Sequence, residues 1–180
     1  MSNRDELLRK IAQRKANRRT EIERMKLPYL RKQYLSKIGS DEEMRRFFGD
    51  AADTMHQYCN NPIMRPLVRR LFRHTVPWVF KKQFGLGENE RSFLDSVADY
   101  CMYATSYGAW PLEIAEVTGD RVVGYFDRCP GRCEKDYELC LAVTALEPEL
   151  SKKDFFAATV TFTERMPAGA PRCKVVFERK

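Results

Sequence analysis

The first part of the chain follows a helical pattern of apolar and charged positions. In residues 4–26, apolar side chains that include Leu7 and Ile11 recur at helical spacing between many charged side chains. This pattern predicts a helix. Pro28 interrupts this pattern. A second short helix is expected over 28–38, because its apolar residues keep helical spacing and Gly follows it.

Further helices are predicted after this break. Residues 40–43, Ser-Asp-Glu-Glu, form a capping box, which favours a helix from there to about Tyr58. Residues 63–84 predict one or two helices, divided at Pro77. Asn89 is a suitable cap for the next helix, whose apolar residues again recur at helical spacing.

The pattern changes to alternation in the second half. Residues 112–117 and 121–126 predict a β-hairpin with a short turn between them. A helix is expected over 130–146, and two further strands over 156–164 and 173–177. The sequence therefore predicts an α+β fold with a helical N-terminal half and an antiparallel sheet with a flanking helix in the C-terminal half.

Charge divides the chain at about residue 38. Residues 1–37 hold 12 Lys and Arg against four Asp and Glu, whereas the remaining 143 residues hold 20 against 21. We therefore predict a basic helical arm over 1–38 and a single α+β domain over 39–180. The arm has few aromatic residues, so a solvated helix is a better interpretation than a nucleic-acid contact. Its apolar stripes would also suit a homo-oligomer.

Composition indicates a globular cytoplasmic protein. Hydrophobic residues make up 43% of the chain, which excludes wholesale disorder. The N-terminus has no apolar segment typical of a secretory signal, and no apolar run is long enough to span a membrane. Six cysteines in a reducing compartment are expected to be buried residues, metal ligands or reactive thiols rather than disulfides.

Cys129 has the sequence context of an ionised thiol. It leaves a predicted strand and precedes Pro130, a residue favoured at the first position of a helix. Cys129 would then lie at the helix cap, where free N–H groups and the helix dipole favour a thiolate, with Arg128 and Arg132 adding positive charge. Such a thiolate is suited to be a nucleophile or a metal ligand.

The other cysteines leave two interpretations open. Cys133 and Cys140 lie seven residues apart, on one face of the predicted helix, and Cys173 on the last strand could complete a four-thiolate set with Cys129. Such a set would bind zinc or iron, although its spacing is not that of a zinc ribbon or a ferredoxin. The other interpretation is a set of small apolar residues in the core, which is the stronger one for Cys59 and Cys101. The nearby carboxylates Asp127 and Asp136 could transfer protons. His56 and His74 are interpreted as surface or core residues.

Two motifs resemble the C-terminal part of L-2-amino-thiazoline-4-carboxylic acid hydrolase-like proteins. They are Arg128-Cys129-Pro130 and, further along the chain, Thr163-x-x-Met166-x-Ala168-Gly169-Ala170-x-Arg172-Cys173-x-Val175-x-Phe177. The Gly-x-x-x-Cys strand is also similar to the one that ends the 4-vinyl reductase domain, a ligand-binding module in which cysteines can hold zinc.

The resemblance implies hydrolytic opening of a C–N bond in a small cyclic amidine-like carboxylate of the thiazoline type. In that scheme Cys129 is the nucleophile or a thiolate ligand, Cys173 faces it, and Asp127 or Asp136 handles protons. The side chains that would bind the substrate carboxylate are Arg128, Arg132 and Arg172. The alternative is a non-enzymatic domain that binds a metal or a small ligand through its cysteines.

Overall fold

Helices occupy the N-terminal half of the protein and an antiparallel sheet occupies the C-terminal half, which confirms the predicted α+β fold. The structure is a computed structural model. It describes residues 2–24, 27–36, 39–71, 73–74, 92–103, 109–110, 112–129, 131–152 and 156–180. The predictions made at Pro77, Asn89 and Pro130 lie outside these ranges.

The arm begins with two helices where the sequence predicted one. Helix α1 (Asn3–Ala16) starts with a capping box between Ser2 and Asp5 and ends at Asn17. Helix α2 (Arg18–Glu23) follows directly, and α3 (Pro28–Leu35) starts at the predicted proline. Asparagine is a poor residue for a helix interior because its side chain competes for backbone hydrogen bonds, which accounts for the division at Asn17.

The predicted capping box after the arm is confirmed. The Ser40 hydroxyl accepts a hydrogen bond from the Glu43 N–H at 3.2 Å, and the Glu43 carboxylate accepts one from the Ser40 N–H at 2.7 Å. They open helix α4 (Asp41–Asn60). Helix α5 comprises residues 64–71 and 73–74, and α6 (Phe93–Tyr103) begins after Ser92, whose hydroxyl accepts from the Asp95 N–H at 3.1 Å.

Four antiparallel strands form the sheet in the order β1-β2-β4-β3. The strands are β1 (Glu113–Val117), β2 (Arg121–Phe126), β3 (Ala158–Glu164) and β4 (Cys173–Arg179). The β1–β2 hairpin is the predicted one, and the Thr118 hydroxyl in its turn accepts from the Arg121 N–H at 3.0 Å. β4 is central, because it pairs with β2 on one side and β3 on the other.

The helix predicted over 130–146 begins later than expected. Helix α7 spans Tyr137–Val143, with Asp136 as its N-cap, and α8 spans Leu146–Ser151. Of the residues that precede Asp136, the described ones, 131–135, form turns and irregular backbone. The predicted helix therefore starts at Tyr137 rather than near residue 130, because residues 131–135 form a turn.

Helices α1, α6 and α8 share one hydrophobic core with all four strands. Leu7, Val97 and Phe177 are fully buried in it, and Leu150 is almost so. Because Leu7 belongs to α1, the basic arm contributes directly to the core of the 39–180 domain. The boundary at residue 38 stays a prediction based on charge.

Ion pairs fix the arm to α6. The Lys10 ammonium lies 2.8 Å from an Asp95 oxygen, and the Arg14 guanidinium lies 2.9 Å from the same oxygen and 2.7 Å from Asp99. Lys15 and Arg18 similarly pair with Asp41 at the start of α4. Much of the positive charge on α1 therefore stabilises intramolecular packing.

Among the residues that the structure describes, no helix has both the length and the apolar character needed to cross a bilayer.

Candidate active site

A tight turn between β2 and α7 contains Cys129 and Cys133. The Arg132 N–H donates to the Cys129 carbonyl at 3.1 Å, which closes the turn, and Arg132 has a φ of 51°. The Asp136 N–H then donates to the Cys133 carbonyl at 3.1 Å. A left-handed residue within successive turns points several backbone N–H groups to one side, and such an arrangement binds anions.

The Cys129 sulfur accepts from these donors. It is half-buried and lies close to three donors that lower its pKa, which are the Cys133 thiol and the N–H groups of Cys133 and Gly131. The thiol hydrogen bond contributes most, and together the donors outweigh partial burial and the nearby Glu134 charge, so that the pKa of Cys129 falls to about 7. The lowered pKa favours the thiolate form of Cys129 near neutral pH.

The predicted cause of this ionisation is corrected by the structure. Cys129 does not cap a helix, because α7 begins at Tyr137 and is capped by Asp136, whose carboxylate accepts from the Leu139 N–H at 2.9 Å. The Cys129 N–H donates to the Glu134 carboxylate at 3.1 Å, within the turn. The thiolate is stabilised by donors within the turn rather than by a helix dipole.

Cys133 is the protonated partner of Cys129. Its side chain is fully buried, and its thiol lies 3.1 Å from the Gly131 carbonyl and within hydrogen-bonding reach of the Cys129 sulfur. The hydrogen bond to Cys129 and burial both raise the pKa of Cys133 far above the usual range of a thiol. The two cysteines thus form an acceptor–donor pair.

Cys140 and Cys173 lie near this pair, but their sulfurs accept hydrogen bonds from other groups. Burial raises the pKa of Cys140, whose sulfur accepts from the Arg165 guanidinium at 3.4 Å. Burial likewise raises the pKa of Cys173, whose sulfur accepts from the Met166 N–H at 3.4 Å. A charge on Cys129 acts on both, so the four sulfurs belong to one electrostatic neighbourhood.

This neighbourhood does not have the form of a metal centre. Within the described residues, no three side chains of His, Cys, Asp or Glu are grouped so that they could hold a metal ion. The Cys133 thiol donates to the Gly131 carbonyl, and the Cys140 sulfur accepts from the Arg165 guanidinium, whereas a thiolate ligand should face the metal. The donor set predicted for zinc or iron therefore does not fit.

Two of the three predicted substrate-binding arginines already have acidic partners. Arg172 pairs with Glu113 and lies 2.8 Å from Asp127, and its guanidinium stacks 4.5 Å from the centre of the Tyr125 ring. Arg132 pairs with Asp53 on α4.

Arg128 differs, because it is exposed next to Cys129 and has no ion-pair partner among the described residues. It is the predicted arginine that is best placed to bind an anion.

The predicted proton-transfer residues differ in their surroundings. Asp127 is exposed at the end of β2 and is paired with Arg172. Asp136 is occupied as the cap of α7, and its second oxygen lies 3.9 Å from the His56 ring. Asp127 is therefore the freer of the two to transfer a proton.

His56 and Cys59 on α4 also contact the cysteine turn, which the sequence analysis did not foresee. The His56 ring lies 3.3 Å from the Gly131 carbonyl, and Cys59 packs with Cys133 and Cys140 in a small apolar cluster. His56 and Gly131 lie 75 positions apart in the chain, and no spacing rule connects residues that far apart. Only tertiary packing brings them together.

A buried acid on α8 was missed as well. Glu147 is 6% exposed and accepts from the Tyr100 hydroxyl at 3.0 Å. Burial raises the pKa of Glu147 to about 8, although the Tyr100 hydrogen bond and the Arg165 charge oppose it. Glu147 acts electrostatically on Cys140, so this buried carboxyl lies close to the cysteine neighbourhood. The Leu-Glu-Pro-Glu context gave no sign that one glutamate would be buried.

The sequence matches no protein-family model and has no significant match among curated proteins.

Proposed function

We propose that this protein is a small-molecule hydrolase in which Cys129 is the nucleophile. The observation that supports this most directly is the set of three donors around the Cys129 sulfur, which favours a thiolate at neutral pH. The pKa values of the other five cysteines are all raised, chiefly by burial or, for Cys133, by its hydrogen bond to Cys129. Nucleophilic chemistry would therefore centre on one sulfur.

The proposed substrate is a cyclic amidine-like carboxylate of the thiazoline type, as the resemblance of the two motifs implies. Arg128 would bind the substrate carboxylate, because its charge is not balanced by any described acid and it adjoins the nucleophile. Asp127 would transfer protons, since Asp136 is committed to capping α7.

The reaction would proceed in two steps. In the first, the Cys129 sulfur forms a bond to the amidine carbon, the double bond from that carbon to the ring nitrogen breaks completely, and the nitrogen takes up two protons as it leaves. In the second, water adds to the same carbon and the S–C bond breaks, which regenerates the Cys129 thiolate. The oxygen of the water ends on the carbon and its two hydrogens end on the released nitrogen, so the sum is a hydrolysis.

Turnover of L-2-amino-thiazoline-4-carboxylate by the full chain tests this proposal. Cys129→Ser should lower kcat/KM by roughly 100-fold or more, because a serine hydroxyl stays protonated in the same turn. Cys173→Ser should lower it as well, because the resemblance implies that Cys173 faces the nucleophile, whereas Cys101→Ser, in the α6 core, should not. Unchanged turnover in folded Cys129→Ser and Cys173→Ser proteins would refute the hydrolase proposal.

Elemental analysis of the untagged protein separates this proposal from its alternative, a non-enzymatic metal- or ligand-binding domain. Stoichiometric zinc or iron that is lost on substitution of Cys129, Cys133, Cys140 and Cys173 would favour the alternative. Metal-free protein with one fast-reacting thiol would favour the nucleophile.

We further propose that the protein works in the cytoplasm, where its thiols stay reduced. A homo-oligomer is also part of the proposal, and the exposed apolar residues Ile63, Leu67 and Leu71 on and before α5 give it a surface. Light scattering after size-exclusion chromatography tests the oligomeric state directly.

A further inference from the structure

The sulfurs of Cys129 and Cys133 lie on the same side of their turn. A methyl group at Gly131, midway between them, would lie 3.8 Å from the Cys129 sulfur and 3.0 Å from the Cys133 sulfur. The hydrogen bond from the Arg132 N–H to the Cys129 carbonyl closes a turn, and Cys133 follows that turn directly. The Cys133 thiol is, moreover, within hydrogen-bonding reach of the Cys129 sulfur.

We propose that Cys129 and Cys133 form a reversible intramolecular disulfide when the protein meets a hydroperoxide. The site is therefore a redox-modification site, which goes beyond the proposed hydrolase activity. It does not require that activity, because it depends only on the two thiols and the turn that joins them.

Cys129 and Cys133 differ in accessibility and in ionisation, as the reactive and the resolving thiol of a redox pair should. Cys129 is half-buried, so a small oxidant can reach it, and the donors of the turn favour its reactive, ionised form. Cys133 is fully buried and keeps its proton, so it does not compete for the oxidant. An accessible reactive thiol beside a protected resolving thiol is typical of redox-sensing sites.

The chemistry balances with the hydroperoxide as the oxidant. The Cys129 thiolate attacks one peroxide oxygen, an S–O bond forms, the O–O bond breaks, and the leaving hydroxide or alkoxide takes up a proton. The product is a sulfenic acid. The Cys133 sulfur then attacks the Cys129 sulfur, the S–S bond forms, the S–O bond breaks, and the hydroxyl leaves as water with the Cys133 proton. The two thiols lose two electrons and the peroxide gains them.

The remaining cysteines are poorer partners for Cys129. Cys140 accepts from Arg165 and Cys173 accepts from the Met166 N–H, so both sulfurs are held by other groups. Cys101 is buried in the α6 core, and burial raises its pKa to about 12. Oxidation is thus expected to select the pair within the turn.

Peptide mapping identifies the pair without ambiguity. Trypsin cleaves after Arg128, Arg132 and Lys135, so a disulfide between Cys129 and Cys133 joins the peptides 129–132 and 133–135. The reduced full-length protein is treated with a slight excess of hydrogen peroxide, alkylated and digested. We expect the intact protein to lose the mass of two hydrogen atoms, the two peptides to be joined, and dithiothreitol to separate them.

Three variants sharpen the test. Cys133→Ser should stop at the sulfenic acid, so that dimedone labels Cys129 and the protein no longer loses two hydrogens. Cys129→Ser should slow the loss of thiols at least about 10-fold, because the reactive sulfur is gone. Cys101→Ser is the matched control and should form the disulfide as the wild type does.

Two results would overturn the proposal. One is a disulfide that joins peptide 129–132 to a peptide containing Cys140 or Cys173. The other is wild-type protein in which Cys129 is oxidised to the sulfinic acid while Cys133 stays free. Both are independent of turnover, so a failed hydrolase assay would leave this test fully interpretable.

Discussion

The hydroxyl of Tyr100 donates a hydrogen bond to Oε1 of Glu147 at 3.0 Å, inside the protein. Both side chains are almost completely buried, and burial raises both pKa values, that of Glu147 to about 8. The pair links α6 to α8, so the protonation of one carboxyl is coupled to the packing of two helices on the sheet.

Glu147 should make the protein less stable as the pH rises. Its carboxyl has a higher pKa in the folded protein than in the unfolded chain, so the folded state binds more protons between about pH 4.5 and 8. The resulting stabilisation is complete at low pH and is lost as the pH rises through 8, a loss on the order of a few kcal/mol. Urea unfolding at several pH values measures it.

Glu147→Gln should remove this dependence, because the amide keeps the size of the side chain and an acceptor for Tyr100 but does not titrate. Glu138→Gln, an exposed change on α7, is the control and should keep the wild-type slope. Parallel slopes in the wild type and Glu147→Gln would show that the buried carboxyl is not the source.

The sequence determined those parts of the fold that depend on neighbouring residues. The hairpin around Thr118 and the capping box at Ser40 were predicted because turn and cap chemistry acts over three or four residues. The strand over residues 156–164 was predicted from its own alternation, and β3 (Ala158–Glu164) lies there. Interactions over such short distances along the chain can be predicted from the neighbouring residues alone.

The missed features depend on contacts between distant segments. The late start of α7 at Tyr137 is a local exception, because turn hydrogen bonds and the left-handed conformation of Arg132 replace the helix that was predicted there. The burial of Glu147 follows from the packing of α8 against β3, and the approach of His56 to Gly131 follows from the position of α4. Cys129 was identified as an ionised thiol, but the physical cause was assigned to the wrong donors.

Arg14 should contribute strongly to the docking of the arm. Arg14→Met would leave the carboxylate of Asp99, which is 3% exposed, without its 2.7 Å cation. The expected cost is about 2–3 kcal/mol, somewhat below that of breaking a fully buried pair. Urea unfolding measures this cost.

Arg19→Met provides the matched control, because the Arg19–Glu23 pair on α2 is exposed. It should cost less than about 0.5 kcal/mol. Equal losses in the two variants would indicate that charge on the arm, rather than its attachment to α6, stabilises the protein.

Gly124 in β2 should not tolerate a side chain. A Cβ there would lie 2.6 Å from Cγ of Leu112 and 2.7 Å from its Cδ2, which is closer than atoms normally approach. Leu112 is buried beside the first strand, so it has little room to move. Gly124→Ala should therefore lower the free energy of unfolding by about 1–3 kcal/mol.

Gly119→Ala in the hairpin turn serves for comparison. The nearest atom to its new Cβ would be Nδ2 of Asn3 at 4.0 Å, an ordinary contact. Its effect should be neutral or stabilising by about 0.4–1 kcal/mol, because alanine restricts the unfolded chain. If Gly124→Ala proved equally harmless, the close approach of Leu112 to the β2 backbone would be disproved.

The reactivity of Cys129 should depend on the Cys133 thiol. In the wild type the rate of alkylation of Cys129 should rise with pH around a midpoint near 7, because the thiolate is the nucleophile. Cys133→Ala removes the strongest donor to the Cys129 sulfur, so the midpoint should move up toward the ordinary value of about 8.5. Mass-resolved alkylation of peptide 129–132 at a series of pH values follows this change.

The substitution Cys59→Ala controls for packing in the same apolar cluster and should leave the midpoint near 7. A midpoint that moves equally in both variants would mean that packing, and not the hydrogen bond, sets the acidity of Cys129.

The central position of β4 constrains the order of events during synthesis of the protein. β1 and β2 can pair as soon as they leave the ribosome, but β2 and β3 meet only through β4, which is translated after all of them. Until then both strands keep an unpaired edge, and such edges are prone to associate with other chains. Nascent chains that stall before Cys173 should therefore depend on chaperones. A folding reporter placed after β4 would detect the pairing of β4 with β2 and β3 as a single late step.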